Sequence, residues 1–245
     1  MVKKNERVFY CNSGLKILKA TMRDFANEKK LAAKEAVKLL SDNQIVGLGS
    51  GSSATFAIIE IGERVKNGLK IQAVPTSDKS KELAISLNIP LLEISDVDSI
   101  DITIDGADEF TTDLNLIKGG GSFLLKEKVV ASLTKQEIII ADSSKKVELL
   151  GKFTVPVEVI SYAAGYVSKQ LEKLNGVGTI RLTGDKPLIT EEGNYIIDTD
   201  FGLITDPATL SDKLHAITGV VEHGLFINLA SMVIMGNGDS TVTFS

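Results

Sequence analysis

Three short clusters in the sequence combine residue types that bind anions and move protons. The first is the run Gly47-Leu48-Gly49-Ser50-Gly51-Ser52-Ser53. Its glycines permit a tight turn and close approach of a ligand, while the hydroxyls and the N-terminus of the helix expected to follow supply donors. The run predicts a phosphate-binding loop with Ser50, Gly51, Ser52 and Ser53 as candidate ligands. A dinucleotide or adenosylmethionine site and a purely structural turn stay open, whereas the absence of a following Gly-Lys-Ser/Thr excludes a Walker loop.

The second cluster is Asp105-Gly106-Ala107-Asp108-Glu109, directly after an apolar run. Two carboxylates three residues apart on a tight loop can both turn into one site. Such a pair can bind sugar hydroxyls and move protons at ring oxygens. A magnesium site or a solvent-facing acidic turn would explain the pair equally well.

The third cluster is Lys118-Gly119-Gly120-Gly121, followed by Glu127. Three consecutive glycines indicate an unusual backbone, and the lysine before them could stabilise a developing oxyanion. Glu127 lies on the helix predicted next and could reach back as a base, although an ordinary surface glutamate is the alternative. A weaker cluster, Asp142 to Lys145, offers a second anion contact through Lys145.

Together the clusters contain two aspartates, a glutamate, a lysine and phosphate-type loops. This combination suits proton transfer on a phosphorylated sugar, because moving a carbonyl between C1 and C2 needs a base and a cation for the enediolate oxygen. Triosephosphate isomerase shows that a carboxylate base suffices for such a reaction. We therefore expect a small sugar phosphate as the partner, with no metal and no cofactor.

Composition excludes other classes of protein. The 245 residues include 27 Lys and Arg and 32 Asp and Glu. The resulting net charge of −5 disfavours nucleic acid or an anionic membrane as partner. No apolar stretch approaches the roughly 20 residues of a membrane span. Cys11 is the sole cysteine, and His215 and His223 are too far apart for an H-E-x-x-H metal helix. We expect a cytoplasmic enzyme.

The elements that must position these clusters alternate between strands and helices in the first half of the chain. This alternation predicts an α/β fold with a Rossmann-like parallel sheet, in which ligands bind beyond the carboxyl ends of the strands. The predicted strands are 44–48, 70–74, 90–94, 99–104 and 137–141, and the predicted helices are 24–40, 54–65, 77–87 and 123–133.

The second half changes rhythm near Gly151 and predicts a smaller ferredoxin-like α+β domain. Its order is nearly β-α-β-β-α-β, with strands 155–160, 179–182, 188–190, 195–198 and 220–226 and helices 162–174 and 207–217. A hairpin at 191–194 is predicted to join the strands 188–190 and 195–198. We expect a catalytic domain over 24–151, the ferredoxin-like domain over 152–221, and a return to the catalytic domain over 222–245.

Residues 1–23 fit neither unit. They contain six basic residues and one acidic residue, and they lack the apolar core of a secretion signal. We expect a disordered extension or a start assigned too early, with Met22 as the true one. An organelle transit segment is the alternative.

The strings DGADE at 105–109, KGGG at 118–121, EK at 127–128 and IADSSK at 140–145 resemble the type A family of ribose-5-phosphate isomerases. The strings Leu150–Phe153 and Pro156–Val159 extend the resemblance, which runs from about Glu28 to the C-terminus. It implies interconversion of D-ribose 5-phosphate and D-ribulose 5-phosphate through a cis-enediolate, in the non-oxidative pentose phosphate pathway, without metal or cofactor. It also implies a homodimer or homotetramer with a Rossmann-like and a ferredoxin-like domain.

The resemblance implies roles by position. Glu127 would be the proton acceptor, Asp105 would assist opening of the furanose ring, Asp108 would hold hydroxyls, and Lys118 would stabilise the oxyanion. The remaining substrate-binding candidates are Ser50, Gly51, Ser52, Ser53, Gly106, Ala107, Gly119, Gly120, Gly121 and Lys145. The family loop commonly reads Gly-Thr-Gly-Ser-Thr, so the run 49–53 keeps its hydroxyls and loses two methyl groups.

Two other functions compete with an isomerase. A methyltransferase would need an acidic residue closing the strand after the glycine run, and that strand ends in Val74-Pro75-Thr76. A sugar-phosphate sensor would need a DNA-binding module, for which 23 residues are too few. The methyltransferase also leaves Lys118–Gly121 unexplained, and a catalytically inactive sensor would have no reason to keep both Asp105 and Glu127.

Overall fold

The structure, a computed structural model, describes residues 23–245. The predictions made for residues 1–22, including Cys11 and the alternative start at Met22, lie outside the described residues. In chain order the described residues form α1 (Phe25–Val37), β1 (Ile45–Leu48), α2 (Gly51–Lys66), β2 (Gln72–Pro75), α3 (Asp78–Ser86), β3 (Ile100–Gly106), β4 (Glu109–Phe110), β5 (Leu116–Ile117), α4 (Leu124–Leu133), β6 (Thr134–Ala141), β7 (Val155–Val159), α5 (Ala164–Lys173), β8 (Val177–Ile180), β9 (Leu182–Thr183), β10 (Lys186–Pro187), β11 (Tyr195–Asp200), α6 (Pro207–His215), β12 (Val220–His223), β13 (Leu225–Phe226), β14 (Ala230–Asn237) and β15 (Ser240–Phe244).

Six strands form the central sheet, in the order β15-β14-β6-β3-β1-β2. Every neighbouring pair is parallel except β14 with β15, which are antiparallel. The predicted α/β fold with a Rossmann-like sheet is therefore confirmed. The C-terminal strands β14 and β15 complete this sheet on the outer side of β6.

Alternate residues of the strands divide the central sheet into two faces. On one face, the apolar residues of β1, β3 and β6 pack with alanines of α1 and isoleucines of α2. On the other face lie Thr103, Asp105 and Glu137, since Thr103 is paired with Glu137 and Asp105 follows two residues later. Helix α4 covers this second face, because a Cβ at Gly47 would meet both Thr103 and Val130. The polar face beneath α4 is where the chemistry-bearing residues converge.

The strand predicted over 90–94 is wrong. This segment makes one isolated bridge, Leu91 with Ala73, and a 3-10 turn begins at Ile94. The amide of Ala73 donates to Pro90 and the amide of Leu92 donates to Ala73, but the next donor along β2 would be Pro75, which has no N–H, so the pairing does not extend.

A second, antiparallel sheet has the order β12-β7-β11-β8, with α5 and α6 packed against its strands. Numbered by their sequence, these four strands run 4-1-3-2 in a β-α-β-β-α-β chain, which is the predicted ferredoxin-like arrangement. Its apolar core, which includes Val157, Val167, Leu171, Ile197 and Leu214, is distinct from the core under α1 and α2.

Two local predictions in this part are wrong. Residues 188–190 are not a strand, because the chain instead forms the small hairpin of β9 and β10 around Gly184, whose positive φ of 62° suits a tight turn. The segment 191–194 is a turn leading into β11, closed by mutual hydrogen bonds between Thr190 and Asn194, and does not join two paired strands.

The strand predicted over 220–226 is divided at Gly224. Strand β12 pairs with β7, whereas β13 pairs with β5 in a three-stranded sheet with β4. A Cβ at Gly224 would lie 2.2 Å from the carbonyl oxygen of Lys118, so glycine is required where the backbone passes this residue. The amide of Lys118 donates to the carbonyl of Gly224 at 2.9 Å, which joins the strand break to the Lys118 cluster.

Within residues 23–245, none of the helices combines the length and apolar character needed to cross a membrane.

Candidate active site

Asp105 lies at the carboxyl end of β3 with 1% of its surface exposed. Its Oδ1 accepts hydrogen bonds from the amides of Ser50 (3.0 Å) and Gly106 (2.7 Å), and its Oδ2 lies 2.9 Å from Nζ of Lys118. The carboxylate therefore ties the loop after β1 to the loop after β3. Both oxygens are already engaged by protein groups.

Lys118 follows β5 and is 2% exposed. Its ammonium contacts the carbonyl of Gly106 at 2.5 Å, Asp105 at 2.9 Å and Oε2 of Glu127 at 3.5 Å. Burial alone would lower the pKa of Lys118, but the carboxylates of Asp105 and Glu127 outweigh it and raise this pKa above its ordinary value. Lys118 is thus a permanent buried cation beside Glu127.

Glu127 lies in the first turn of α4, near the amino end that faces the cluster. Its side chain is buried, and its Oε2 accepts no hydrogen bond from residues 23–245. Burial raises the pKa of Glu127 to about 8, with Lys118 opposing the shift and the carboxylates of Asp105 and Asp108 adding to it. A carboxyl group with such a pKa can both accept and return a proton near neutral pH.

Asp108 and the glycine run face each other across the site. Oδ2 of Asp108 accepts the amide of Gly120 at 2.8 Å, and a Cβ at Gly120 would lie 2.7 Å from Oδ1 of the same carboxylate. A side chain at position 120 would therefore have to displace the carboxylate of Asp108. Gly119 adopts a φ of 104°, which lets the chain turn sharply after Lys118.

The loop after β1 begins helix α2 at Gly51, with Ser50 as its N-cap. The hydroxyl of Ser50 is buried and bonded to those of Thr76 (2.8 Å) and Ser77 (2.7 Å), so this side chain supports the loop from behind. The hydroxyl of Ser52 accepts from Nζ of Lys29 at 3.0 Å. A Cβ at Gly51 would meet open space, as expected of a backbone that a ligand can approach.

These residues surround a cavity of about 220 Å³. All the predicted substrate-binding residues line it, together with Asp108, Lys118 and Glu127, while Asp105 lies behind Lys118. The lining residues are Lys29, Ser50, Gly51, Ser52, Ser53, Gly106, Ala107, Asp108, Lys118, Gly119, Gly120, Gly121, Phe123, Glu127 and Lys145.

Lys29 and Phe123 line the cavity but were not among the candidates from the sequence. Lys29 belongs to α1, where it looks like any solvent-facing lysine of an amphipathic helix. The neighbouring Glu28 sets its place, since the buried Glu28 carboxylate accepts the amides of Ser143 and Gly238, each at 2.8 Å. This contact brings Lys29 beside the turn that carries Lys145.

A second cluster joins His215, Glu222 and His223, whose ligand atoms lie within 4.8 Å of one another. The sequence spacing had excluded a metal helix, and the fold brings the two imidazoles to a centroid distance of 4.2 Å. Nδ1 of His223 accepts the amide of Leu225 at 3.2 Å, which leaves its proton on Nε2, and Nζ of Lys128 lies 2.7 Å from Glu222. A protonated nitrogen and a competing ammonium favour a hydrogen-bonded cluster over a metal site.

The family model of ribose 5-phosphate isomerase A (phosphoriboisomerase A) matches residues 72–240. The ribose-5-phosphate isomerase A of Bacillus mycoides is 46% identical over 211 residues, which are 86% of this chain and 96% of that relative. This chain belongs to the ribose-5-phosphate isomerase A family.

Solved structures of the ribose-5-phosphate isomerase family have the same fold. A D-ribose-5-phosphate isomerase in complex with phospho-erythronic acid has a TM-score of 0.87 at 39% identity, over 90% of this chain and 98% of that one. The enzyme of Methanocaldococcus jannaschii has a TM-score of 0.84 at 40% identity, over 88% and 96% of the two chains. Membership of the ribose-5-phosphate isomerase A family favours the isomerase interpretation over the methyltransferase and the sensor.

Proposed function

We propose that this chain interconverts D-ribose 5-phosphate and D-ribulose 5-phosphate, with Glu127 as the group that moves the proton. The observation that supports it most is the buried Oε2 of Glu127, which accepts no hydrogen bond from residues 23–245 and lies 3.5 Å from the buried ammonium of Lys118, in one cavity with an anion-binding loop. A base and a cation at this separation can act on two neighbouring carbons of one substrate.

The phosphate binds at the end of the cavity formed by the loop after β1. There the first amides of α2 offer unpaired N–H groups, and Lys29 and Lys145 supply positive charge. Binding the phosphate at this end places the sugar carbons toward Glu127. The acidic protein thus concentrates its cations where the anionic substrate must lie.

Isomerisation then proceeds by proton transfer at two adjacent carbons. The carboxylate of Glu127 takes the proton from C2 of the open-chain aldose, and the C–H electron pair forms the C1–C2 double bond as O1 becomes negative. The Lys118 ammonium stabilises that oxygen. A proton moves from O2 to O1, and the Glu127 carboxyl group returns its proton to C1, giving the ketose.

Asp108 is the carboxylate that contacts the sugar hydroxyls and assists ring opening. It lines the cavity, whereas Asp105 is not among the lining residues and is already bonded to two amides and Lys118. We therefore assign Asp105 to positioning Lys118 and the loop after β1, in place of the direct role in ring opening that the family resemblance implies.

A coupled assay of ribose 5-phosphate conversion by the purified chain tests the function. Glu127→Gln should lower kcat by roughly 10²–10⁴, the usual effect of losing a general base. The matched control is Glu82→Gln, on the exposed side of α3, which should leave kcat unchanged. In heavy water, product formed by the enediolate route carries deuterium on the carbon that receives the proton. Near-normal turnover by Glu127→Gln would show that Glu127 has another role.

The same family supports a homodimer or homotetramer in the cytoplasm. The ferredoxin-like part exposes Tyr162 almost completely and Tyr166 by about half, which is the aromatic surface that interface cores favour. Light scattering should give a mass that is two or four times the 26.3 kDa of one chain, and a monomer would contradict this. Fractionation of expressing cells should place the activity in the cytoplasmic extract.

A further inference from the structure

Arg181 lies between β8 and β9 of the ferredoxin-like part and reaches the glycine run of the active site. Its Nη1 donates to the carbonyls of Gly119 (2.8 Å) and Gly120 (3.3 Å) and to the hydroxyl of Ser122 (2.9 Å). None of these contacts is local in sequence, since the partners are separated by about sixty residues. One side chain thus contacts three residues of the loop between Lys118 and α4.

The guanidinium of Arg181 is itself fixed in orientation. Its Nε and Nη2 bind the two oxygens of Asp198 at 2.9 and 2.5 Å, in a bidentate arrangement. The backbone amide of Arg181 donates to the carbonyl of Ile196 at 2.8 Å, and Asp198 belongs to the same strand, β11. This pairing leaves Nη1 as the donor directed at the loop.

Peptide planarity carries the effect of Arg181 to the cavity. The carbonyl of Gly119 and the amide of Gly120 belong to one planar peptide unit and point in opposite directions. Arg181 accordingly holds one end of this unit while Oδ2 of Asp108 binds the other at 2.8 Å. The carbonyl of Gly120, which Arg181 also binds, and the amide of Gly121 likewise belong to one planar peptide unit.

The loop has one internal backbone hydrogen bond, from the amide of Ser122 to the carbonyl of Gly119 at 3.0 Å, and its other contacts come from outside the loop. Gly119 and Ser122 both have positive φ values, 104° and 72°, and the intervening glycines have the widest conformational freedom of any residue. A serine in the left-handed region is uncommon, and here its hydroxyl is bonded to Arg181.

We propose that Arg181 is a positioning residue for isomerisation, which holds the carbonyls of Gly119 and Gly120 so that the loop amides and Asp108 are set toward the sugar. The proposal rests on the proposed function for its kinetic consequence. Arg181 does not contact the substrate in this account. It acts through the peptide units of the loop, where a displacement of about 1 Å can cost a hundredfold in rate.

The test compares Arg181→Lys with Arg64→Lys. Arg64 also donates from its guanidinium to backbone carbonyls, those of Val37 and Leu40, but it does so far from the cavity. Arg181→Lys keeps the charge and loses the planar fork, so kcat should fall roughly 10- to 100-fold while KM changes by less than about threefold. Arg64→Lys should keep kcat, whatever it does to the melting temperature.

A readout without turnover separates this proposal from the proposed function. The amide of Gly120, bonded to Asp108, should exchange its hydrogen at least about tenfold faster in Arg181→Lys and unchanged in Arg64→Lys. If the wild-type chain does not convert ribose 5-phosphate, the proposed function fails, and the exchange rate of Gly120 still decides the role of Arg181. Unchanged exchange, or unchanged kcat in an active enzyme, would overturn the proposal.

Discussion

The ammonium of Lys118 lies 2.9 Å from the carboxylate of Asp105, and both side chains are almost completely buried. This pair neutralises itself, so the nearby Glu127 is a second carboxyl group without a cation of its own. The raised pKa of Glu127 follows from its burial together with that imbalance. The stability of the site and the pKa of Glu127 therefore depend on the same lysine.

Removing that cation should destabilise the protein as well as inactivate it. Lys118→Met leaves Asp105 buried and unpaired, which costs about 3–5 kcal/mol of unfolding free energy. Lys126→Met is the control, because Lys126 pairs with Glu191 and Glu192 near the surface and should contribute less than about 1 kcal/mol. Urea denaturation measures both, and equal losses would show that burial of the Lys118 pair is not what stabilises the fold.

The pH dependence of activity should report the ionisation of Glu127. In its proposed role as base Glu127 works only when ionised, and burial raises its pKa to about 8, so kcat/KM should rise with pH up to about 8 and then level off. The substrate phosphate titrates near pH 6, well below this range. Assays from pH 6.5 to 9 measure the profile, and a flat profile below pH 8 would contradict the assignment.

Glu137 should make the protein less stable as pH rises. Burial raises its pKa well above the ordinary value, with Asp105 and Glu127 adding to the shift and Lys118 opposing it. Folded Glu137 therefore keeps a proton that the unfolded chain loses above about pH 4.5, and stability falls as pH rises toward its folded pKa.

Glu137→Gln is close in shape to the protonated acid and does not titrate. The melting temperature of Glu137→Gln relative to wild type should therefore increase between pH 5 and pH 8. Glu82→Gln, at an exposed position, should show no such trend. A difference that stays constant with pH would mean that Glu137 is ionised in the folded protein.

Gly49→Ala should displace Asp105. A Cβ at Gly49 would lie 2.1 Å from Oδ1 and 2.6 Å from Cα of Asp105, so relief requires the backbone to move. We expect a loss of at least about 1–3 kcal/mol together with most of the activity.

Gly165→Ala is the matched control for the change at Gly49. Gly165 is an exposed position of α5 where an added Cβ meets nothing within 4 Å. Alanine there should raise stability by about 0.5–1 kcal/mol, because glycine is the poorer helix former. If thermal denaturation shows the same change in stability for both alanine variants, close packing at Gly49 is not the cause of the loss in Gly49→Ala.

The sequence predicted the site best where a short motif lies directly at the end of a strand. Asp105 ends an apolar strand, and the run 49–53 lies between a strand and a helix, so their meeting at the carboxyl edge of a parallel sheet follows from the alternation of elements. Two of the predicted strands, 90–94 and 188–190, were wrong. Both are short apolar runs, for which side-chain type does not decide whether a neighbouring strand is available.

By itself the sequence determined the alternating α/β and ferredoxin-like units, the glycine loops and the carboxylates and lysines that belong with them. The tertiary structure alone decided that Lys29 lines the cavity, that Asp105 pairs with Lys118 without lining the cavity, and that Arg181 binds the carbonyls of Gly119 and Gly120. These three facts depend on contacts between residues distant in the chain. The sequence of a helix face or of a strand end does not predict which distant part of the backbone will pack against it.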